Sequence, residues 1–229
     1  MTDRNDPALQ QQQSWRANAA AWTQAIRERQ IESRRLATDA AILSAVVQHS
    51  PRRVLDVGCG EGWLARALAA YGVSVVGVDA SPPLIESARA AGGGAFHVLS
   101  YAEIAAGPGR LGTNYDAAVC NFSLLEENLT PLLAALRSAL SSRGSLFIQT
   151  IHPWVSCGEA PYQDGWRTET FDSFGGAFAE SMPCYFRTLE SWFKLLREAG
   201  FGVVDLREPL HPDTDLPLSL LLVCRVQTQ

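Results

Sequence analysis

The sequence predicts an α/β protein. We expect a Rossmann-like, seven-stranded, mostly parallel sheet with helices on both faces, an N-terminal helical cap and a lid insertion after strand 5. Three observations carry this expectation. From Arg53 onward, short β-branched runs alternate with stretches of helical spacing. Those runs are continuously apolar, as strands covered on both faces are. The 229 residues, 47% of them hydrophobic, suffice for one core, so we read a single domain.

In chain order, residues 1–50 form the cap. Met1 to Gln13 reads as a polar tail, and Ser14 to Gln48 as helix, with Trp15, Trp22 and Ile26 and then Ile42 and Val46 at helical intervals. Trp15 and Trp22, seven apart, fall on one face. Residues 51–151 form the ligand-binding core. Its strands are expected at Val54 to Val57, Ser74 to Val78, Ala95 to Leu99, Ala117 to Asn121 and Ser145 to Ile151. Helices are expected at Gly62 to Ala70, Pro83 to Ala91 and Thr130 to Leu140, the last stopped by Ser-Ser-Arg-Gly. Residues 152–187 show neither a clear strand nor a long helix, and a loop of that length inside a domain is usually functional. Residues 188–229 close the sheet with a helix, Thr188 to Ala199, and two strands, Gly202 to Leu206 and Leu218 to Val226.

Composition narrows the partners. A net charge of -5 argues against nucleic acid, whose affinity needs clustered Lys and Arg. Five scattered cysteines without CxxC pairing indicate neither a disulfide framework nor a zinc site. No two histidines stand at helical ligand spacing, so no metal is expected. Without a signal-peptide core or a long apolar run, we expect a soluble cytoplasmic protein without membrane contact, a monomer or weak homodimer that acts on a small molecule.

The most informative segment is Val54-Leu55-Asp56-Val57-Gly58-Cys59-Gly60-Glu61-Gly62-Trp63, a strand running through glycines into a helix. Glycines let backbone approach a ligand, and the helix start presents free N–H groups. A second run, Val75-Val76-Gly77-Val78-Asp79, ends in an acid about 20 residues after the loop, where a carboxylate can accept both hydroxyls of a ribose. Together they signal a nucleoside. The dinucleotide pattern GxGxxG fails, because its third glycine falls on Trp63. Asp56 would repel a pyrophosphate but tolerate a cation.

The segment resembles the class I S-adenosylmethionine-dependent methyltransferases of small-molecule type, with their D-x-G-x-G-x-G loop and ribose acid at the next strand end. Ser100-Tyr101-Ala102-Glu103 resembles the family's G-D-A-E after strand three, with Tyr101 in place of the usual Asp. Tyr115 to Phe122 resembles its strand four. The likeness is close over residues 50 to 150 and looser beyond.

The resemblance implies S-adenosylmethionine as cofactor and S-adenosylhomocysteine as product. It implies that Asp56 reaches the methionine amino group and that Gly58, Cys59 and Gly60 line the loop. Asp79 would hold the ribose, Ala80, Tyr101 and Ala102 would border the adenine, and Asn121 with Phe122 would flank the sulfonium. In the cap, Arg34 is the candidate for the methionine carboxylate, since a guanidinium matches a carboxylate by its planar fork.

Half of the chain's twenty aromatic residues lie between 152 and 193, which suggests a substrate lid or an aromatic subcore. His152, directly after the fifth strand, is the candidate general base, and Tyr185 and Arg187 are candidates for contacting the acceptor. Arg167 shares that candidacy or pairs with Asp164, Glu169 or Glu190. Methyl transfer is an in-line displacement with a good leaving group, so alignment can supply most of the acceleration. The alternatives are a non-catalytic module that binds S-adenosylmethionine or S-adenosylhomocysteine and an NAD(P)-dependent oxidoreductase.

Overall fold

A computed structural model describes residues 6–174 and 176–227. The chain opens in helix earlier than its polar composition suggests. Asp6 caps α1, Pro7–Ala17, by accepting from the Ala8 N–H, and Pro7 occupies the first turn, where its missing N–H costs nothing. Residues 7–13 of the cap, expected as a polar tail, are therefore helical. Asn18 ends α1 and precedes α2, Ala19–Arg27. The expected single helix is thus broken, yet the Trp15 and Trp22 rings still meet at 5.3 Å. A π-helical turn, Arg34–Thr38, leads into α3, Asp39–Gln48.

The core then alternates strand and helix: β1 Arg53–Val57, α4 Trp63–Ala69, β2 Ser74–Asp79, α5 Pro82–Ala91, β3 Ala95–Val98, α6 Tyr101–Ala106 and β4 Tyr115–Asn121. α7, Thr130–Ala139, ends one residue earlier than expected, and β5, Leu140–Ile151, begins five residues before the expected Ser145. Its first residue pairs with Tyr115, and a register shift carries the ladder on to Ala117 and Ser145. Gly144 is required in that stretch, since a Cβ there would lie 2.9 Å from the Tyr115 carbonyl oxygen.

The insertion is not the structureless loop the sequence suggests. A short helical turn, α8 Pro153–Ser156, is followed by a hairpin of β6, Gly165–Glu169, and β7, Met182–Phe186, paired as a separate two-stranded sheet. The chain finishes with α9 Leu189–Glu198, β8 Phe201–Arg207 and β9 Ser219–Val226.

The main sheet has seven strands in the order β3-β2-β1-β4-β5-β9-β8. The first five are parallel, β9 runs antiparallel to β5, and β8 antiparallel to β9. This is the expected architecture. Apolar residues fill both faces: Leu55, Val57, Leu132 and Leu136 on one, and Val54, Leu64, Leu68 and Phe147 on the other. Strand order reverses between β1 and β4, and in such sheets ligands bind beyond the carboxyl ends of the strands at that switch point. Among the described residues, no helix is long and apolar enough to cross a membrane.

Candidate functional site

Asp56 and Asp79 stand at the carboxyl ends of β1 and β2, which pair in parallel, and the glycine loop bends between them. The loop is held down by backbone: the Gly58 and Cys59 N–H groups both donate to the Val78 carbonyl, at 2.8 and 3.1 Å. The Gly60 N–H donates to Asp79 Oδ2 at 2.9 Å, and the Ser81 N–H to Oδ1 at 2.8 Å. Ala80 lies between those two anchors.

Two of the loop glycines are required for different reasons. Gly58, at φ +74°, has no room: a Cβ would sit 2.3 Å from that of Ser123. Gly60, at φ +55°, has no atom within 4 Å of that position, so it is the left-handed backbone and not crowding that favours glycine there. Cys59 is buried against Gly77, and burial, with the Asp56 and Asp79 charges, raises its thiol well above the usual range. It is a packing residue, with no thiolate to offer.

Asp56 is fully enclosed, and its Oδ2 has no hydrogen-bond partner. Burial, and then the charge of Asp79, pushes its carboxyl up to about 7. Burial raises Asp79 as well, against the lowering effect of its two N–H donors. Two desolvated acids so placed disfavour any anion and suit a ligand carrying a cationic amine beside a diol.

Glu61, inside the loop, is an acid that sequence reasoning passed over. Its side chain is fully buried between Arg66 of α4, whose Nη2 donates to both carboxylate oxygens at 2.6 and 2.8 Å, and Arg27 of α2 at 2.9 Å. It ties the cap to the loop. Arg34 lies within the π-helical turn, donating to Asp39 at 2.8 Å, with its guanidinium 4.6 Å from the Trp63 ring centre and Nη2 buried without a partner. Trp63, where a dinucleotide fold needs glycine, is therefore the platform under Arg34. At its other end the turn meets the sheet, where Thr38 O accepts from Gln149 Nε2 at 3.0 Å. Interruptions of this kind in a helix recur at functional sites.

Gln149 was missed as well. It joins Thr38 of the cap, Asn121 Oδ1 at 2.8 Å and the Ser219 hydroxyl at 3.3 Å, so it orients Asn121 across three elements. A lone amide directly after the apolar run Leu146-Phe147-Ile148 was the available signal, because buried polar groups must find partners. Phe122 follows at φ +53°, uncommon for a bulky residue, pinned by its N–H to Gln149 O at 2.7 Å. Ser123 donates to Val57 O at 2.7 Å and accepts, through its own carbonyl, the Tyr101 hydroxyl at 2.8 Å. Tyr101 thus reaches from α6 across the glycine loop. Ala102 is exposed at the start of α6.

His152 caps α8 directly after β5 and is only 3% exposed. Its Nε2 lies 2.8 Å from Glu208 Oε1, and its Nδ1 is buried without a partner. The insertion is moored to the loop after β4: the Tyr185 N–H donates to Leu125 O at 2.8 Å, and Arg187 Nη2 donates to the Glu126 and Glu127 carbonyls. Arg187 is buried, its guanidinium 4.8 Å from the Tyr185 ring centre, and its Nη1 has no partner. Arg167, in contrast, bonds none of the three acids expected for it. It donates to the Ser156 and Pro161 carbonyls, at 2.9 and 3.1 Å, over the Phe186 ring.

Cap and insertion form one cover. Trp22 meets the rings of Phe171, Phe174 and Phe178 at 4.8–6.0 Å, so the aromatic enrichment is in part a subcore. Asn18 donates to Glu180 O at 2.6 Å and accepts from the Ala179 and Glu180 N–H groups, while Gln11 donates to Leu125 O and Pro183 O.

A reversed-order α/β sheet with a glycine loop, a strand-end acid and a second, desolvated acid defines a nucleoside-binding protein whose ligand also carries a cation. The chain belongs to the methyltransferase domain family, whose model matches residues 24–206. A ubiquinone biosynthesis O-methyltransferase from Xanthomonas axonopodis pv. citri is 32% identical over 117 residues, 48% of this chain and 47% of that protein. The chain thus spans about half the length of the curated relatives it matches. An S-adenosylmethionine dependent methyltransferase from Mesorhizobium loti superposes with a TM-score of 0.62 at 22% identity, covering 81% of this chain and 96% of that one. Magnesium protoporphyrin IX methyltransferase from Synechocystis, with bound S-adenosylhomocysteine, gives 0.57 at 20%, covering 82% and 81%. The family's cofactor is S-adenosylmethionine, and the residues present fit it: the orphaned Asp56 oxygen suits its amine, and the Asp79 carboxylate its ribose.

Proposed function

We propose that this chain transfers the methyl group of S-adenosylmethionine to a hydroxyl oxygen of a small-molecule acceptor. The observation that carries the reading is the pair of desolvated acids, Asp56 and Asp79, flanking a glycine loop that is open at Gly60. The name O-methyltransferase borne by the relatives supports oxygen as the accepting atom.

When bound, the cofactor supplies an electrophilic methyl on a positively charged sulfur. Asp56 takes its amine and Asp79 its ribose hydroxyls. Gly58, Cys59 and Gly60 form the floor, and Ala80, Tyr101 and Ala102 border the base. Arg34 Nη2 holds the carboxylate, and Asn121 and Phe122 stand beside the reacting centre. On the acceptor side, His152 removes the hydroxyl proton, while Arg187 Nη1 and the Tyr185 hydroxyl contact the acceptor. The cover of cap and insertion excludes water, which strengthens each of these interactions. We place the protein in the cytoplasm as a monomer or weak homodimer, without nucleic-acid or membrane partners.

The test is chromatographic detection of S-adenosylhomocysteine after incubation with S-adenosylmethionine and a panel of phenols and alcohols, beside carboxylic acids and amines. Product with a hydroxyl acceptor is expected. Turnover with amines or carboxylates alone would overturn the assignment of oxygen. Binding of both sulfur nucleosides without turnover of any acceptor would favour the non-catalytic module.

A further inference from the structure

We infer that Glu208 is a positioning residue that makes His152 a one-sided base, presenting Nδ1 to the acceptor proton. The inference rests on the proposed methylation of a hydroxyl.

The placement follows from sheet register. β5 runs toward its end at Ile151, opposite Ser219, the first residue of β9, and β9 pairs on its other side with β8, which ends at Arg207. Because β5 and β8 run in the same direction, His152 and Glu208 leave the sheet at the same edge, two strands apart. That edge also carries the ends of β1 and β4.

The backbone of His152 is fixed before its side chain is considered. Its carbonyl accepts from the Val155 and Ser156 N–H groups at 3.0 and 2.9 Å, and Pro153 restricts it to the extended conformation it adopts. Among the described residues Glu208 pairs with His152 alone, the neighbouring Arg207 being engaged by Asp205 at 2.8 Å and Gln48 at 3.0 Å. Its carboxylate is half exposed and therefore needs no burial of charge to reach the ring.

Chemistry then assigns the proton. A carboxylate only accepts, so at 2.8 Å the ring must donate Nε2–H, and in the neutral ring the lone pair is left on Nδ1. Nδ1 is buried and unpartnered among the described residues, as a base awaiting a substrate proton would be. A base oriented by a third group is the arrangement that activates hydroxyl nucleophiles generally. In the transfer, an electron pair of the acceptor oxygen forms the bond to the methyl carbon, and the pair of the broken carbon–sulfur bond stays on sulfur. The hydroxyl proton goes to His152 Nδ1, and the imidazolium so formed is held at Nε2 by the Glu208 carboxylate.

The pair can be read without knowing the acceptor. In uniformly 15N-labelled protein, at a pH where the ring is neutral, two-bond 1H–15N correlations report which ring nitrogen carries hydrogen, with His152→Gln assigning the signals. We expect a bare Nδ1 and a protonated, slowly exchanging Nε2, whose exchange becomes fast in Glu208→Leu. Glu208→Asp should restore slow exchange at least in part, and calorimetric affinity for S-adenosylhomocysteine should be unchanged in both variants. A protonated Nδ1 in the native ring, or Nε2–H exchange indifferent to Glu208→Leu, overturns the inference. Failure of the native protein to bind S-adenosylhomocysteine would instead remove the functional reading beneath it and leave the ring assignment standing.

Discussion

If Asp56 takes the cofactor's amine as proposed, cofactor binding must depend on pH. With its carboxyl pushed up to about 7 by burial and by Asp79, the acid is about nine-tenths protonated at pH 6 in the free protein. A cationic amine delivered to Oδ2 stabilises the carboxylate, so binding must expel that proton. Binding at pH 6 should therefore release close to one proton, and the affinity for S-adenosylhomocysteine should rise roughly tenfold between pH 6 and pH 8. Calorimetry in buffers of different ionisation enthalpy reads both quantities, and Asp56→Asn should abolish both.

The same shift acts on the fold, with the sign of a group whose folded value lies above its unfolded one, near 3.8. Its contribution is fully present below about pH 4, is lost as pH rises toward 7, and levels off above, a loss on the order of 4 kcal/mol in the ligand-free protein. An affinity that is flat or falling between pH 6 and pH 8, with no buffer dependence of the binding enthalpy, would refute the argument.

Gly58→Ala should unfold at lower denaturant, costing about 2–5 kcal/mol, because it combines a left-handed backbone with a 2.3 Å clash. Gly60→Ala, with a left-handed backbone but no clash, should cost only about 1–2 kcal/mol in the same melts yet lose S-adenosylhomocysteine binding in calorimetry. Trp22→Ala removes the centre of the ring cluster joining cap and insertion, on the order of 3 kcal/mol. Hydrogen exchange should then quicken in residues 179–186 while β1 stays protected. Alkylation of the native protein should begin at the partly exposed Cys157, with the buried Cys59, Cys120 and Cys224 reacting only after unfolding, since burial raises all three thiols. Early labelling of Cys59 would contradict its packing against Gly77.

What the sequence reveals and what it hides have physical reasons. β1, β2 and β4 were legible because strands buried on both faces read as apolar runs, and the glycine loop because its conformation restricts which residues fit. The hairpin of β6 and β7 was not legible. Its residues are largely half-exposed, and Pro183 argues against a strand, although a two-stranded sheet, all edge, tolerates it. The break at Asn18 and the π-helical turn were hidden because helical spacing continues across both. Asp56 and Asp79 could be found locally, whereas Gln149, Ser123 and Glu208 act through partners 28 to 111 residues away, which no window of sequence contains.

The central claim meets its most direct test in calorimetric titration of the cofactor-free protein with S-adenosylmethionine, S-adenosylhomocysteine and NADH, repeated on Asp79→Ala. Asp79 anchors the loop through the Gly60 N–H and is the residue we propose for the ribose, so its loss should weaken the sulfur nucleosides at least about 100-fold. Binding of both sulfur nucleosides, no binding of NADH, and loss of that binding in Asp79→Ala are the predicted result. Binding of NADH, or affinity for S-adenosylhomocysteine that survives in Asp79→Ala, would contradict it.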